Sequence, residues 1–142
     1  MKKLLLETCV LLLAATGIAN AAPVTVKDAW FRALPAKLPA GGYFTAHNSG
    51  TTDIAITAAA APGACGMLML HQTSDKGGMK GMSKVDQVQV PAGGDAVFAP
   101  GGYHLMCMQS NLTAGGTVPV TLTFSDGSKL TADFAVKDAK GQ

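Results

Sequence analysis

Hydrophobic and polar positions alternate over short stretches of the chain, as in Val118-Pro-Val-Thr-Leu-Thr-Phe124. A period of two is typical of a β-strand with one face in the core and the other in water. Gly-Gly, Pro-Gly and Asn-Ser-Gly interrupt the chain at short intervals, and no segment shows the longer period of an amphipathic helix. The pattern therefore predicts an all-β protein.

Nine short strands are predicted from the alternating or β-branched segments between these interruptions. They cover residues 24–26, 42–47, 54–57, 67–71, 83–90, 96–98, 103–108, 118–124 and 130–136. Two longer stretches, residues 34–41 and 72–81, are rich in Pro and Ala or in Gly and Lys and are predicted to be loops. Many short strands at this spacing favour an antiparallel sandwich or small barrel in a single domain.

The first 21 residues have the pattern of a cleaved secretory signal peptide. The chain begins Met-Lys-Lys, continues with an apolar run over residues 4–15, and reaches a small-x-small cleavage site at residues 19–21. The apolar run is too short for a comfortable membrane span. We therefore expect export to the periplasm, cleavage after Ala21, and a mature domain over residues 22–142 that is not inserted in the membrane and ends in a short tail.

Charge and motifs exclude several classes of function. The formal charge is +2, and it becomes +1 when the predicted signal peptide, with two lysines and one glutamate, is removed. Arg32 is the only arginine and the lysines do not cluster, which argues against nucleic acid as a partner. Neither a Ser-His-Asp arrangement nor a pair of carboxylates stands out, and a phosphate-binding glycine motif is missing. We therefore expect a binding protein and not an enzyme.

Cys65 and Cys107 remain after Cys9 leaves with the predicted signal peptide. An even pair in an oxidising compartment can form a disulfide. The sequence leaves three alternatives open, namely a disulfide, two buried thiols, or one thiol near a metal ion.

Methionine and histidine are concentrated in one part of the chain. Apart from Met1, every methionine lies between Met67 and Met108, and His71 and His104 lie in the same window. Thioether sulfur and imidazole nitrogen are soft and borderline donors that suit Cu(I). The alternative is that methionine fills gaps in the core, which we expect for Met108 and for one or both of Met67 and Met69. We expect the third histidine, His47, at the surface or in a turn.

Four of these side chains are predicted to meet at one metal site. His104 and Met106 are two residues apart on a predicted strand and therefore share a face. His71 ends another predicted strand, and Met82 lies at the far end of the loop that follows, so folding can bring both to the first pair. All four donors are neutral and soft, which favours Cu(I) over Cu(II) and over hard cations. Met79 is an alternative or auxiliary donor from the same loop.

The spacing His71-x10-Met82-x21-His104-x-Met106 resembles the H-x10-M-x21-H-x-M pattern of the periplasmic copper chaperones of the PCuAC type. Five shorter stretches resemble the same family, at residues 27–32, 42–48, 79–82, 91–94 and 100–106. The resemblance covers residues 24–136. It implies a cupredoxin-like β-sandwich of Greek-key type that binds Cu(I) through these four residues.

The resemblance also implies a role as a metallochaperone. Its copper would pass to the copper centre of a respiratory cytochrome oxidase or to thiol-containing assembly factors. Periplasmic copper buffering or resistance is one alternative. Electron transfer is another, but a blue-copper site needs a cysteine thiolate, and the strand pattern directs Cys107 away from Met106. Some members of this family carry a His/Met-rich tail thought to bind a second copper, whereas the tail at residues 137–142 has neither residue, so we expect no such tail site. We expect one Cu(I) per mature chain and a monomer.

Overall fold

A computed structural model describes residues 22–142, and the predicted signal peptide at residues 1–21 lies outside the described residues. Strands make up most of this part, together with one short 3₁₀ helix, Pro35–Lys37. The strands are β1 (Val24–Arg32), β2 (Ala40–Asn48), β3 (Ile54–Ala60), β4 (Cys65–Lys76), β5 (Met79–Lys84), β6 (Val88–Val90), β7 (Asp95–Phe98), β8 (Tyr103–Ser110), β9 (Thr117–Phe124) and β10 (Lys129–Lys137). The all-β prediction is confirmed. Over residues 22–142, no helix has the length and apolar character to cross a membrane.

The strands form one continuous sheet in the order β5-β4-β8-β7-β2-β1-β10-β9-β3-β6, and β2 also pairs with β8. Neighbouring strands are antiparallel except for β1 with β10 and a one-residue pairing of β7 with β8. β3, near one end of this order, contacts β4, near the other end. The sheet therefore curls around its core. At one end of the strand order, β5 forms the edge of the sheet, β4 is next to it, and β8 follows.

Four phenylalanine rings fill the centre of the core. Phe44 stacks on Phe98 with ring centroids 4.2 Å apart, and Phe134 contacts both Phe44, at 5.5 Å, and Phe31, at 5.3 Å. All four side chains are buried, and such ring pairs stabilise a core beyond their burial alone. These rings come from β1, β2, β7 and β10, and they hold together the two strands, β2 and β7, that pair with β8.

Gly42 allows β2 to pair with β8 while the ring of Phe31 packs against its backbone. It pairs with Leu105 across the two strands. A Cβ atom at this position would lie 2.6 Å from Cε1 of Phe31 and 3.1 Å from Cβ of Leu105. Only glycine fits at such a close approach without a shift of its neighbours. A larger residue at position 42 would therefore disturb the packing of Phe31 and Leu105 where β2 meets β8.

Cys65 and Cys107 form a disulfide that joins the start of β4 to the middle of β8, with their Cα atoms 5.3 Å apart. Both cysteines are buried. The structure thereby selects the disulfide among the three alternatives that the sequence left open. Because Cys107 is bonded to Cys65, it is not a free thiolate.

The structure differs from the predicted elements mainly between residues 72 and 90. The predicted loop over 72–81 is the end of β4 and the start of β5, joined by Gly77 and Gly78, whose φ angles are +63° and +81°. Two positive φ angles are typical of a tight two-residue hairpin turn. Every residue of β5 is exposed, so no hydrophobic alternation marks it as a strand. The single strand predicted over 83–90 is divided between β5 and β6.

Candidate metal centre

His71 and His104 lie directly opposite each other on β4 and β8. Their ring centroids are 5.7 Å apart and the ring planes are inclined by 64°. Two imidazoles that share one ion at about 2 Å have centroids no more than about 6.5 Å apart. The two rings are therefore close enough to bind the same ion.

One nitrogen of each ring is buried and has no hydrogen-bond partner. These atoms are Nδ1 of His71 and Nε2 of His104. Buried polar atoms are almost always hydrogen-bonded, because an unpaired one loses its interaction with water and gains nothing in return. Two such atoms in adjacent rings are therefore available to a shared ligand.

The second nitrogen of His104 determines which atom is the donor to that ligand. Nδ1 of His104 lies 3.2 Å from the backbone oxygen of Gly102. A carbonyl oxygen can only accept, so the bond requires the proton to be on Nδ1. In the neutral ring Nε2 then carries a free lone pair, which is the form that metal-binding histidines take when a backbone carbonyl orients them.

Burial lowers the pKa of His71 below its ordinary value, and the nearby His104 and Lys84 lower it further. Each of the three causes disfavours the charged imidazolium. A neutral imidazole is the form that binds a metal ion. The surroundings of His71 therefore favour the neutral imidazole, which can bind a metal ion.

Two methionines adjoin the histidines on the same face of the sheet. Met106 follows His104 by two residues in β8. Met82 pairs with Thr73, which lies two residues beyond His71 in β4. Met82, Met106 and His104 all line one open depression of about 430 Å³. His71 is not in its lining and adjoins it through His104.

The structure thus brings together His71, Met82, His104 and Met106, but it leaves Met79 outside the group. Met79 pairs with Lys76 at the tip of the β4–β5 hairpin and is 78% exposed. Successive residues of a strand point to opposite faces, so Lys76 and Met79 lie on the other face from Thr73 and Met82.

Arg32 and Tyr43 also line this depression, and the metal hypothesis did not include them. The guanidinium of Arg32 lies over the rings of Trp30 and Tyr43, at 5.4 Å and 5.8 Å from their centroids. Its Nε is buried without a hydrogen-bond partner. Arg32 therefore adds a permanent positive charge to the wall of the depression. Two signals in the sequence could have singled it out, namely that it is the only arginine and that it ends the family-like stretch at residues 27–32.

The expectation that Met108 and one or both of Met67 and Met69 pack in the core is wrong. Met67 is 56% exposed, and Met69 and Met108 are only half-buried. The core side of β4 is occupied by the alternate residues, among them Leu70, which is buried. The three methionines therefore share the outer face with His71 and His104.

The donors available at this face suit a soft cation. Among the residues that the structure describes, no three side chains of His, Cys, Asp or Glu come together. The converging donors are two imidazoles and thioethers, which favour Cu(I). A blue-copper centre would need a cysteine thiolate as well, and Cys107 is held in the disulfide.

Two comparisons by sequence connect the chain to known proteins. The model of the family described as "Putative lipoprotein LpqE-like" matches residues 24–136. "Putative lipoprotein Lxx21020" from Leifsonia xyli subsp. xyli (strain CTCB07) is 36% identical over 121 residues, which cover 83% of this chain and 72% of that protein.

Solved structures share the fold. The copper-bound PCuAC domain from PmoF2 aligns with a TM-score of 0.68 at 20% identity, over 84% of this chain and 96% of that domain. Apo-DR1885 from Deinococcus radiodurans aligns with a TM-score of 0.61 at 31% identity, over 97% of this chain and 94% of its own. Its Cu(I) form, CuI-DR1885, aligns with a TM-score of 0.63 at 29% identity, over 87% and 83%. These likenesses confirm the expected cupredoxin-like β-sandwich.

Proposed function

The chain belongs to the LpqE-like lipoprotein family, and from this premise we propose that it is an exported metallochaperone that binds Cu(I) as its cargo. Two of the similar structures are of copper-bound or Cu(I)-bound proteins, which supports this cargo. In this proposal, residues 22–142 are the copper-binding domain, and residues 1–21 are the signal peptide that directs it to the periplasm. The protein carries an ion and catalyses no reaction.

The observation that carries the proposal is the pair of unpartnered nitrogens in adjacent rings, Nδ1 of His71 and Nε2 of His104. A structural pair of histidines would satisfy these atoms with hydrogen bonds inside the protein. A cuprous ion accepts both lone pairs at once. The thioethers of Met106 and Met82 complete a neutral set of two nitrogen and two sulfur donors.

The arrangement of these ligands suits transfer of the ion. His104 is 5% exposed, whereas Met82 is 62% exposed and lies on β5, whose residues are all exposed. A ligand on an exposed edge strand can leave the ion without disturbing the core, since few contacts hold it. A partner's ligand can then replace Met82 from solvent while the histidines still hold the copper.

Copper binding is tested by titration of Cu(I) against a competing chromophoric chelator in the absence of oxygen. We expect His104→Ala to lower the affinity by more than about 100-fold, because even residues that only orient a ligand contribute 10–100-fold. We expect Met106→Ala to lower it by about tenfold. The matched controls are His47→Ala, whose ring is exposed and paired with Asp95 at 2.6 Å, and Met79→Ala. Equal copper retention in all five proteins would refute the site.

We propose that the recipient is the copper centre of a respiratory cytochrome oxidase or one of its assembly factors. The test is to mix the Cu(I)-loaded protein with a soluble copper-free oxidase domain and to measure copper in each after separation. Transfer that is complete within minutes supports delivery. Copper that stays on the loaded protein, while a chelator of equal affinity removes it, supports buffering instead.

A further inference from the structure

The outer face of β4 and β8 continues beyond the two histidines as a double row of methionines. Met69 pairs with Met106, and Met67 pairs with Met108. This register follows that of His71 with His104 without interruption. Four thioethers therefore occupy a block of two rows and two columns on one face of the sheet.

The register places the methionines within reach of a common ion. Residues directly opposite on antiparallel strands have Cα atoms about 4.5–5.5 Å apart, and next-but-one residues of a strand lie about 7 Å apart. Methionine has three rotatable side-chain bonds, so its sulfur can move several ångströms to meet a ligand. Met67, Met69 and Met108 can therefore converge without any change in the backbone.

Core packing does not account for these three residues. Met67 is more than half exposed, and the inner face of the same strands is already filled by buried side chains such as Leu70, Leu105 and Cys107. Met67 and Met69 line a second open depression, of about 340 Å³, and Met108 lies outside its lining, opposite Met67 on β8. Lys84 and Asp86 also line it, and their formal charges cancel. The depression thus offers two of the three sulfur donors and carries no net formal charge.

We propose that Met67, Met69 and Met108 bind a second soft monovalent cation, Cu(I) or Ag(I), in a site made only of thioethers. Three neutral sulfur donors suit such ions and exclude hard cations. Met106 pairs with Met69 and follows His104 by two residues, so it lies between this thioether site and the histidine site and can donate to either. The proposal depends on the methionine register and does not require that the histidines bind copper.

The test uses protein labelled with ¹³C in the methionine methyl groups and titrated with Cu(I) without oxygen. A methyl signal shifts when its sulfur binds the ion. Two variants separate the sites, the triple variant Met67→Leu/Met69→Leu/Met108→Leu and the double variant His71→Ala/His104→Ala. Leucine is chosen because it keeps the volume of methionine and removes the sulfur. Circular dichroism checks that each variant keeps the fold.

We expect the wild-type protein to bind two equivalents and each variant to bind one. In the double variant the signals of Met67, Met69 and Met108 should shift together with that single equivalent. The inference is overturned if these three signals do not move in the double variant, or if the triple variant binds as many equivalents as the wild-type protein. The proposed carrier function fails separately, if the triple variant binds nothing or if the double variant still binds two equivalents.

Discussion

The two faces of the β4–β8 pair differ in how completely their side chains are satisfied. On the inner face Leu70 and Leu105 are buried among other apolar groups, and the disulfide of Cys107 adds a covalent tie. On the outer face the rings of His71 and His104 each keep a buried nitrogen without a partner. The same two strands thus have a fully packed core on one face and polar atoms without hydrogen-bond partners on the other.

This difference explains how the metal site can have a rigid backbone and still be open to an ion. The inner face fixes the positions of the two strands, so the outer donors stay in register with few contacts of their own, such as the bond from Nδ1 of His104 to the backbone oxygen of Gly102. Their unmade bonds remain available for an ion. Stability and binding should therefore respond to different residues even where those residues are neighbours in the chain.

The largest effect is expected from a change on the inner face. Leu105→Ala removes a fully buried side chain and should lower the free energy of unfolding by about 2–5 kcal/mol. Met106→Ala, one residue away but on the outer face and only half-buried, should cost less than about 1.5 kcal/mol while it weakens Cu(I) binding. Denaturation in urea measures both values. A greater loss of stability in Met106→Ala than in Leu105→Ala would show that the two faces do not divide these roles.

The disulfide should stabilise the fold, and its sulfur atoms should not bind the copper ion. Cys65 and Cys107 are 42 residues apart in sequence, and a loop of that size corresponds to about 4 kcal/mol in the chain-entropy account, within a usual range of 2–4 kcal/mol. Cys65→Ala/Cys107→Ala should therefore unfold at lower urea concentration and still bind Cu(I) below its transition. Loss of copper binding in the folded double variant would mean that the inner face also takes part in the site.

The β4–β5 hairpin offers a matched pair of exposed methionines on opposite faces. Met82→Leu should weaken Cu(I) binding about tenfold, a loss of about 1.4 kcal/mol, because one thioether is removed. Met79→Leu should leave the affinity unchanged, because Met79 lies on the other face of the hairpin. Competition titration with a Cu(I) chelator measures the affinity of both variants. A larger loss of affinity in Met79→Leu than in Met82→Leu would show that Met79, and not Met82, is the ligand.

The sequence predicted the fold class and the four candidate ligands, but not the hairpin that carries Met82. Alternation identifies strands with one buried face, whereas β5 is exposed on both and was therefore assigned to a loop. The sequence pattern predicts that His71 and His104 meet, but not the register that places them directly opposite each other, because the two residues are 33 positions apart and that register depends on the whole sheet.

The outward methionines, in contrast, could have been predicted. In Met67-Leu-Met-Leu-His71 the leucines alternate with the donors, so a histidine on the outer face requires both methionines to share that face. The expectation that one or both lie in the core follows the usual use of methionine as apolar filling. The period of the strand was a better guide than the hydrophobicity of the residue.

The smallest expected effect is on the pH dependence of stability without copper. The folded protein holds the pKa of His71 below its unfolded value of about 6.5, so between these two values the unfolded chain binds more protons. The free energy of unfolding should therefore fall as the pH drops below about 6.5. In His71→Gln this fall should be smaller, as measured by urea midpoints at pH 7.5 and pH 5. An equal fall in both proteins would indicate that the His71 ring titrates as it does in water.

X-ray absorption at the copper edge tests the central claim most directly, with one equivalent of Cu(I) bound to the wild-type protein. We predict a first shell of two nitrogen neighbours at about 2.0 Å and two sulfur neighbours at about 2.3 Å, distances typical of metal–imidazole and metal–sulfur bonds. The histidine component should disappear in His71→Ala/His104→Ala. A first shell made only of sulfur, or only of nitrogen and oxygen, would contradict the proposed site.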